Sequence, residues 1–236
     1  MAIDNSLNPH NAAIARNLIT EAKSAATAVG RMKLISSHFI GLPYIVNPLI
    51  GSLTVPEELV VRFDGFDCVT YVETVLALSL SRSVEEFPMK LRDLRYQNGQ
   101  VEWQKRLHYT TDWAAYHIRR GFLRDMTAGD ETVVVEKTLS FIEGLRPKTV
   151  MIRYYPKDRF PSVSRWLTDG DLLYFLSTRR DLDTFHIGLA FRDGDRLLIR
   201  HARHMRHRVL EQPLADFVRV VHSPGFIVNR LAKAFS

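Results

Sequence analysis

The sequence predicts an α+β fold in which a helical amino-terminal half packs on an antiparallel sheet in the carboxyl-terminal half. Apolar residues recur at helical spacing up to about residue 80, and apolar or aromatic runs bounded by turn residues dominate from residue 172 onward. The chain of 236 residues is 46% hydrophobic, enough to bury one sizeable core. Since there is no internal repeat and no Gly/Ser linker, we expect a single domain over residues 1–236.

The first part of the chain reads as two helices and a loop. Helical spacing over residues 11–29 predicts a helix that Gly30 closes, and residues 31–40 predict a second one stopped by Gly41 and Pro43. Residues 44–56 contain two prolines and a glycine, which is typical of a loop. This loop leads towards the only cysteine of the chain.

That cysteine, Cys68, excludes an intramolecular disulfide and a cysteine-based zinc site. It follows Asp67 and precedes an uninterrupted apolar run to Leu80, a pattern that predicts a turn and then a buried helix with Asp67 as its N-cap. The unpaired N–H groups and the positive end of the helix dipole favour a thiolate in the first turn. We therefore interpret Cys68 as a candidate nucleophile rather than a packing residue.

Residues 85–127 mix polar and aromatic side chains and read as helices and loops, whereas the second half predicts strands. These strands cover Leu172–Leu176, Phe185–Phe191, Arg196–His201 and Phe217–His222. Asp193-Gly194 predicts a two-residue type I′ hairpin loop, which would place His186 directly opposite His201 with Cβ atoms roughly 5 Å apart. One imidazole could then orient the other, giving with Cys68 a nucleophile, a base and an orienting group.

The net charge of +6 and the pI near 9.5 favour anionic partners. The densest basic run, residues 200–208, interleaves arginines with histidines but carries no nucleic-acid-binding signature, so we interpret it as a solvated rim and expect no nucleic-acid partner.

We also expect no membrane span. The opening residues Met1–Asn5 show no export signal, which leaves a cytoplasmic protein, or a periplasmic or envelope protein whose signal is missing from this sequence.

Three blocks of sequence carry a family resemblance: FIGLPY at residues 39–44, FDGFDCVTYVE at 63–73 and RLHYTTDW at 106–113. With Phe185-His186-Ile187-Gly188 and His201-Ala202, the order cysteine, histidine, third polar residue is complete. This pattern resembles the NlpC/P60 superfamily of papain-like amidases, and within it the DUF1460 branch of N-acetylmuramoyl-L-alanine amidase-like proteins. The resemblance implies a papain-like core over residues 36–222, preceded by a helical extension at 1–35.

In that family the cysteine attacks the amide that joins N-acetylmuramic acid to the L-alanine of a peptidoglycan stem peptide. By position, the resemblance implies Cys68 as nucleophile, His186 as general base and then acid, and His201 as the orienting group. It implies bacterial muropeptides as substrates and no cofactor. A sugar-peptide junction calls for aromatic and charged contacts, and the candidates are Tyr44, Arg62, Asp64, Arg106, His108, Tyr109, Asp112 and Trp113.

Several alternatives stay open at this stage. The same scaffold serves stem-peptide endopeptidases and cysteine-dependent acyltransferases, and fold alone does not choose between them. A non-catalytic protein that binds glycan or nucleic acid is a further alternative. We expect no metal site at His201, His204 and His207, because their spacing on a continuing strand would splay the rings. The oligomeric state is open.

Overall fold

A computed structural model describes residues 7–233 and residue 235. The opening residues Met1–Asn5, on which the export alternatives depend, lie outside the described residues. The chain divides into two compact units: residues up to 106 with 201–210 and 235, and residues 107–200 with 211–233. None of the helices in the described part is long and apolar enough to cross a bilayer. The expected single domain stays a prediction.

The first unit is helical, and its centre is the helix that begins at the cysteine. Every residue from Thr70 to Ser79 is buried, which confirms the predicted buried helix with Asp67 as its N-cap. The α-helices of this unit are α1 (Pro9–Ala22), α2 (Ala28–His38), α3 (Cys68–Leu80) and α4 (Glu86–Arg95), and its 3-10 turns are Gln97–Gly99, Trp103–Lys105 and His204–Arg206.

The single helix predicted over residues 11–29 is wrong, because the structure has two. Helix α1 ends at Ala22, and the Thr27 hydroxyl accepts the Gly30 N–H at 3.0 Å to cap the start of α2. Gly30 therefore lies inside the first turn of α2 rather than closing a helix. The predicted stop at Gly41 is confirmed, since α2 ends at His38 and Gly41 has a positive φ of 94°.

The second unit contains most of an antiparallel sheet with strand order β2-β3-β8-β4-β5-β6-β7, and β1 pairs with β8. Strands β6 and β7 continue into residues that belong to the first unit. The strands are β1 (Leu123–Asp125), β2 (Val133–Leu139), β3 (Lys148–Pro156), β4 (Leu172–Leu176), β5 (Thr184–Asp193), β6 (Arg196–Arg203), β7 (Arg208–Pro213) and β8 (Gly225–Leu231). The helices are α5 (Thr110–Arg119), α6 (Phe160–Val163) and α7 (Leu214–Val220), with a 3-10 turn at Lys157–Arg159.

The strand predictions are confirmed for β4 to the residue, and for β5 and β6 with longer ends. The strand predicted at Phe217–His222 is wrong, because α7 occupies most of that stretch. Its Leu214, Phe217 and Val218 recur at helical spacing and enter the core. Strands β1, β2, β3, β7 and β8 were not predicted.

The predicted register of the β5-β6 hairpin is also wrong. Leu189 lies opposite Arg200 and Asp193 opposite Arg196, two residues along β6 from the predicted pairing. The loop is Gly194-Asp195, in which Gly194 has a φ of 58° and Asp195 does not share a positive φ. Glycine at the first loop position is typical of a type II′ turn. The predicted direct opposition of His186 and His201 is therefore lost.

The sheet of the second unit presents two different faces. Phe175 on β4 lies opposite His186 on β5, and this face packs on α7. The preceding residue, Tyr174, lies opposite Ile187 and therefore points to the other face, because successive strand residues alternate. Helix α5 lies over that second face.

Candidate active site

Cys68 is the first residue of α3, and its backbone is held by a capping box. The Asp67 carboxylate accepts the Thr70 N–H at 2.7 Å, while the Thr70 hydroxyl accepts the Asp67 N–H at 3.1 Å. These two bonds satisfy donors that a helix start leaves unpaired. The partly exposed Cys68 thiol thus lies at the positive end of a thirteen-residue helix, where a thiolate is stabilised.

The turn before Cys68 needs a glycine. A Cβ on Gly65 would lie 2.6 Å from the Pro43 carbonyl oxygen, too close for any side chain. The same carbonyl accepts the Phe66 N–H at 3.0 Å, and the Ile45 N–H donates to the Phe66 carbonyl at 3.0 Å. These bonds make a short parallel bridge between residues 43–45 and the segment that leads into α3.

The bridge brings Tyr44 beside the start of α3. Burial raises the pKa of the Tyr44 hydroxyl, and the negative charges of Cys68 and Asp67 raise it further. The hydroxyl therefore stays protonated at neutral pH and can donate a hydrogen bond. The Tyr44 ring packs edge-on against the His204 ring, with 5.2 Å between the centroids. The backbone N–H of Tyr44 donates to the His207 carbonyl at 2.9 Å.

A buried ion pair that the sequence reading missed supports α3. The Arg95 guanidinium on α4 donates to the Glu73 carboxylate at 2.7 Å, with the two side chains 2% and 3% exposed. Burial disfavours the charged form of Arg95 and by itself would lower its pKa. The Glu73 carboxylate favours the charged form more strongly, so the pKa of Arg95 is raised. Arg95 also donates to the Val60 carbonyl at 2.8 Å. A glutamate inside an otherwise apolar helix was the signal for this pair.

His186 lies on β5 in the second unit, where its side chain is 8% exposed. Its ring lies 5.3 Å from that of Phe217 and 6.1 Å from that of Phe175, centroid to centroid. The β4-β5 register shifts between Phe175 and Leu176, so a bulge falls at Phe185. Such bulges aim neighbouring side chains and are frequent next to active sites.

His201 lies on β6 and is fully buried, whereas His204 and His207 are exposed. The basic rim expected over residues 200–208 is therefore only partly right. Arg200 is buried against Glu211, with which it forms an ion pair, while Arg206 and Arg208 are exposed. Within the described residues, no cluster of three or more histidine, cysteine or acidic side chains is arranged to hold a metal ion.

The proposed substrate contacts fall into different surroundings. Arg62 and Asp64 form a two-pronged ion pair with both N···O distances at 2.9 Å, and Arg106 bonds the nearly buried Glu57 at 3.0 Å. Tyr109 and Trp113 are 2% and 3% exposed. Asp112 pairs with Lys148, and His108 is half-buried. These contacts hold Arg106 in an ion pair and bury Tyr109 and Trp113 in the protein. Contact of these three side chains with substrate stays a prediction.

The catalytic candidates are divided between the two units. Cys68, Tyr44 and His201 belong to the first unit and His186 to the second. Three residues before His186, the buried Asp183 accepts the Thr111 N–H at 2.8 Å and so ties the start of α5 to β5. The sequence offered no signal for this contact, because its partners lie 72 residues apart.

The chain is similar to proteins of one family. A family model described as AmiA-like, N-acetylmuramoyl-L-alanine amidase-like, matches residues 34–226. A Legionella pneumophila DUF1460 protein shares the fold, with a TM-score of 0.83 and 21% identity over 97% of each chain. A Bacteroides uniformis N-acetylmuramoyl-L-alanine amidase has a TM-score of 0.75 and 28% identity over 87% of this chain and 99% of its own.

A Bacteroides fragilis protein provisionally named a xylanase is also similar, with a TM-score of 0.70 and 26% identity over 83% of this chain and 99% of its own. No curated protein sequence matches the chain. The α+β architecture of the chain, with its antiparallel sheet, matches the fold of the amidase-like solved structures and confirms that part of the predicted fold class, while the papain-like core stays a prediction.

Proposed function

The chain belongs to the N-acetylmuramoyl-L-alanine amidase-like family, and we propose that it hydrolyses the amide between N-acetylmuramic acid and L-alanine in peptidoglycan fragments. The observation that supports this most is the place of its only cysteine, at the first residue of a buried helix and beside Tyr44. A packing cysteine gains nothing from this position, whereas a nucleophilic thiol gains thiolate character.

In the first half of the proposed reaction, His186 takes the proton of the Cys68 thiol, and the resulting thiolate attacks the carbonyl carbon of the amide. The tetrahedral intermediate carries an oxyanion, for which the Cys68 N–H at the helix start and the protonated Tyr44 hydroxyl are the proposed donors. His186 then gives a proton to the leaving nitrogen of L-alanine, so that the peptide departs and the muramic acid remains bound as a thioester.

In the second half, His186 takes a proton from water, and the resulting hydroxide attacks the thioester carbonyl. The C–S bond then breaks, His186 returns its proton to the departing Cys68 sulfur, and N-acetylmuramic acid leaves with a free carboxyl group, which ionises in water. His201 is proposed to orient the base, and its complete burial suits a side chain that acts through another residue rather than on substrate.

For substrate binding, we propose the exposed or half-buried members of the predicted set first. Arg62, with its forked pairing to Asp64, is a candidate for a stem-peptide carboxylate, and His108 and Asp112 for hydrogen bonds to the sugar or peptide.

Glycoside hydrolysis, suggested by the name of the Bacteroides fragilis protein, is less well supported. Such enzymes commonly need two carboxyl groups that flank the scissile bond. The carboxylates that precede Cys68 are engaged, Asp67 in the helix cap and Asp64 with Arg62.

The test is mass spectrometry of purified muropeptides incubated with wild type and with Cys68→Ala in water enriched in ¹⁸O. Amidase activity releases an intact stem peptide and leaves one ¹⁸O in the muramic acid carboxylate, with wild type only. Cleavage inside the stem would identify an endopeptidase. A new amide without ¹⁸O incorporation would identify an acyltransferase, and no product from either protein would favour a binding protein.

Two histidine variants test the roles of the base and of its orienting group. We expect His186→Ala and His201→Ala to lose activity, while His222→Ala, at an exposed histidine, serves as the matched control. The pH dependence of Cys68 alkylation adds a readout that does not need substrate. A thiol no more reactive than a free cysteine at neutral pH would remove the main support for the nucleophile.

A further inference from the structure

A cavity of about 300 Å³ lies within the second unit, between α5 and the sheet. Its apolar wall comes from Ala114, Ala115 and Ile118 on α5 and from Ile152 and Ile227 on the sheet. This volume is at the lower end of the range for small-molecule sites, so the cavity fits only a small ligand.

Two buried polar groups line this cavity without a partner. Tyr174 and Asn229 are 1% and 0% exposed, and in the described structure neither the Tyr174 hydroxyl nor Asn229 Oδ1 forms a hydrogen bond. The amide nitrogen of Asn229 donates to the Val228 carbonyl at 3.0 Å, which leaves Oδ1 as an acceptor. Because an unsatisfied buried polar atom is destabilising, two on one wall point to a ligand.

A carboxylate stands next to these two groups. Asp125 on β1 lies directly opposite Asn229 on β8, so their side chains share one face of the sheet, and Leu172 on β4 is the other neighbour of Asn229. Tyr174, two residues after Leu172, points to the same face. The exposed Asp125 carboxylate accepts the Thr127 N–H through Oδ1 at 2.8 Å.

The hydroxyl of Tyr174 is neutral. Burial raises its pKa well above the usual value, and the negative charge of Asp125 raises it further. The polar side of the cavity therefore offers an amide oxygen, a carboxylate and a phenol oxygen, all of which can accept hydrogen bonds.

We propose that this cavity binds a primary alkylammonium group, whose three N–H donors match Asn229 Oδ1, the Asp125 carboxylate and the Tyr174 oxygen, with a short alkyl chain against the α5 wall. Asp112, which also lines the cavity, is paired with Lys148, whereas the exposed Arg153 donates to the Thr132 hydroxyl at 3.1 Å and keeps its charge. The charge that lies on the same sheet face as the two unpartnered groups is that of Asp125, which accepts a hydrogen bond from a backbone N–H.

The site is separate from the candidate base. His186 shares its sheet face with Phe175, whereas Tyr174 points to the opposite face. An amine in the cavity would therefore not touch His186, although Asp112, a proposed substrate contact, also lines the cavity. Amine binding is measured without muropeptide, so its failure is distinguishable from failure of the amidase assignment.

The test is titration of the full chain with n-butylammonium chloride, followed by calorimetry and by NMR shifts of backbone amides. We expect saturation at one site, shifts that centre on α5 and β8, and about tenfold or greater loss of affinity in Asp125→Asn and in Tyr174→Phe. Both changes keep the shape of the side chain, and Asp125→Asn keeps the oxygen that accepts from Thr127. Asp216→Asn, at an exposed carboxylate of the same unit, is the control and should bind like wild type.

Two further probes define what would overturn the proposal. Sodium butyrate and 1-butanol match the chain length but lack the ammonium group, so they should not saturate the site. Equal binding of 1-butanol would show a merely apolar cavity. Absence of saturation by butylammonium, or equal loss in Asp125→Asn and Asp216→Asn, would show that the amine meets only surface carboxylates.

Discussion

The carboxylate of Asp67, one residue before Cys68, accepts at 2.7 Å the N–H of Thr70, two residues after Cys68, and so closes the first turn of α3. We expect Asp67→Ala to lower the free energy of unfolding by about 1 kcal/mol, the usual cost of a lost N-cap. Urea denaturation measures this change. Asp64→Ala, which removes only an exposed ion pair in the same loop, should change it by less than about 0.5 kcal/mol. Equal effects would mean that the cap contributes nothing.

The Asp67 carboxyl group should also make the free energy of unfolding depend on pH. Burial raises the pKa of Asp67, and the Thr70 hydrogen bonds oppose this effect without cancelling it. The contribution of such a group to stability is fully present below its unfolded pKa, about 4, and is lost as pH rises through the folded value. Asp67→Asn stays neutral, so its free energy of unfolding should rise relative to wild type as the pH increases above about 4. A fall would show that the hydrogen bonds outweigh burial.

Loss of one partner of the buried Glu73-Arg95 pair should destabilise the protein strongly, and replacement of both partners should cost less than the sum of the single changes. Arg95→Met leaves Glu73 buried without its partner and should cost about 3–5 kcal/mol, whereas Arg95→Met combined with Glu73→Gln should cost clearly less than the two single changes together. Arg219→Ala breaks an exposed pair with Asp216 and should cost less than about 0.5 kcal/mol. Additive single costs in a double-mutant cycle would contradict the coupling.

Gly65 predicts a link between backbone packing and activity. A Cβ at this residue would lie 2.6 Å from the Pro43 carbonyl, so Gly65→Ala must displace the segment that carries Tyr44. We expect at least about a tenfold loss of kcat/KM for muropeptide hydrolysis, since small misplacements of a catalytic group cost that much or more. Gly129→Ala is the control, because its Cβ meets open space but its φ of 92° makes the change destabilising. If both variants lose stability and activity in parallel, the effect is not specific to the site.

Tyr44→Phe tests the proposed oxyanion donor. The variant keeps the ring that packs on His204 and removes only a hydroxyl whose pKa is raised by burial and by Cys68. A donor to the oxyanion should give a kcat lower by about 10²–10³-fold with little change in KM or thermal stability. A higher KM with unchanged kcat would instead assign Tyr44 to substrate binding.

Some of the site could be predicted because it depends on neighbours in sequence. Asp67 caps α3 through Thr70, three residues away, and the apolar run that follows is long enough to identify a buried helix. Strand β4 was predicted to the residue for the same reason, since five consecutive buried apolar residues have turn residues on both sides. The sequence blocks around Cys68 also predicted the family.

The register of the β5-β6 hairpin and the helix at α7 depend on contacts between residues far apart in sequence, and both were predicted wrongly. Whether Asp193-Gly194 or Gly194-Asp195 forms the loop changes the hairpin register by two residues, and local propensity allows both. Phe217–His222 has the apolar content of a strand but folds largely within α7, because its apolar side chains fill the core over the β4 face. Helical and strand patterns are ambiguous in such short segments.

By itself, the sequence determined the helix that begins at Cys68, the cap that holds it and the α+β class, because local hydrogen bonds and apolar periodicity suffice for each. The family was reached through the resemblance of its sequence blocks. Only the tertiary structure decided that Tyr44 lies beside Cys68, that Glu73 meets Arg95 and that Asp125, Asn229 and Tyr174 share one face of the sheet. These relationships join residues from 22 to about 100 positions apart, and chain entropy leaves such pairings undetermined until the core packs.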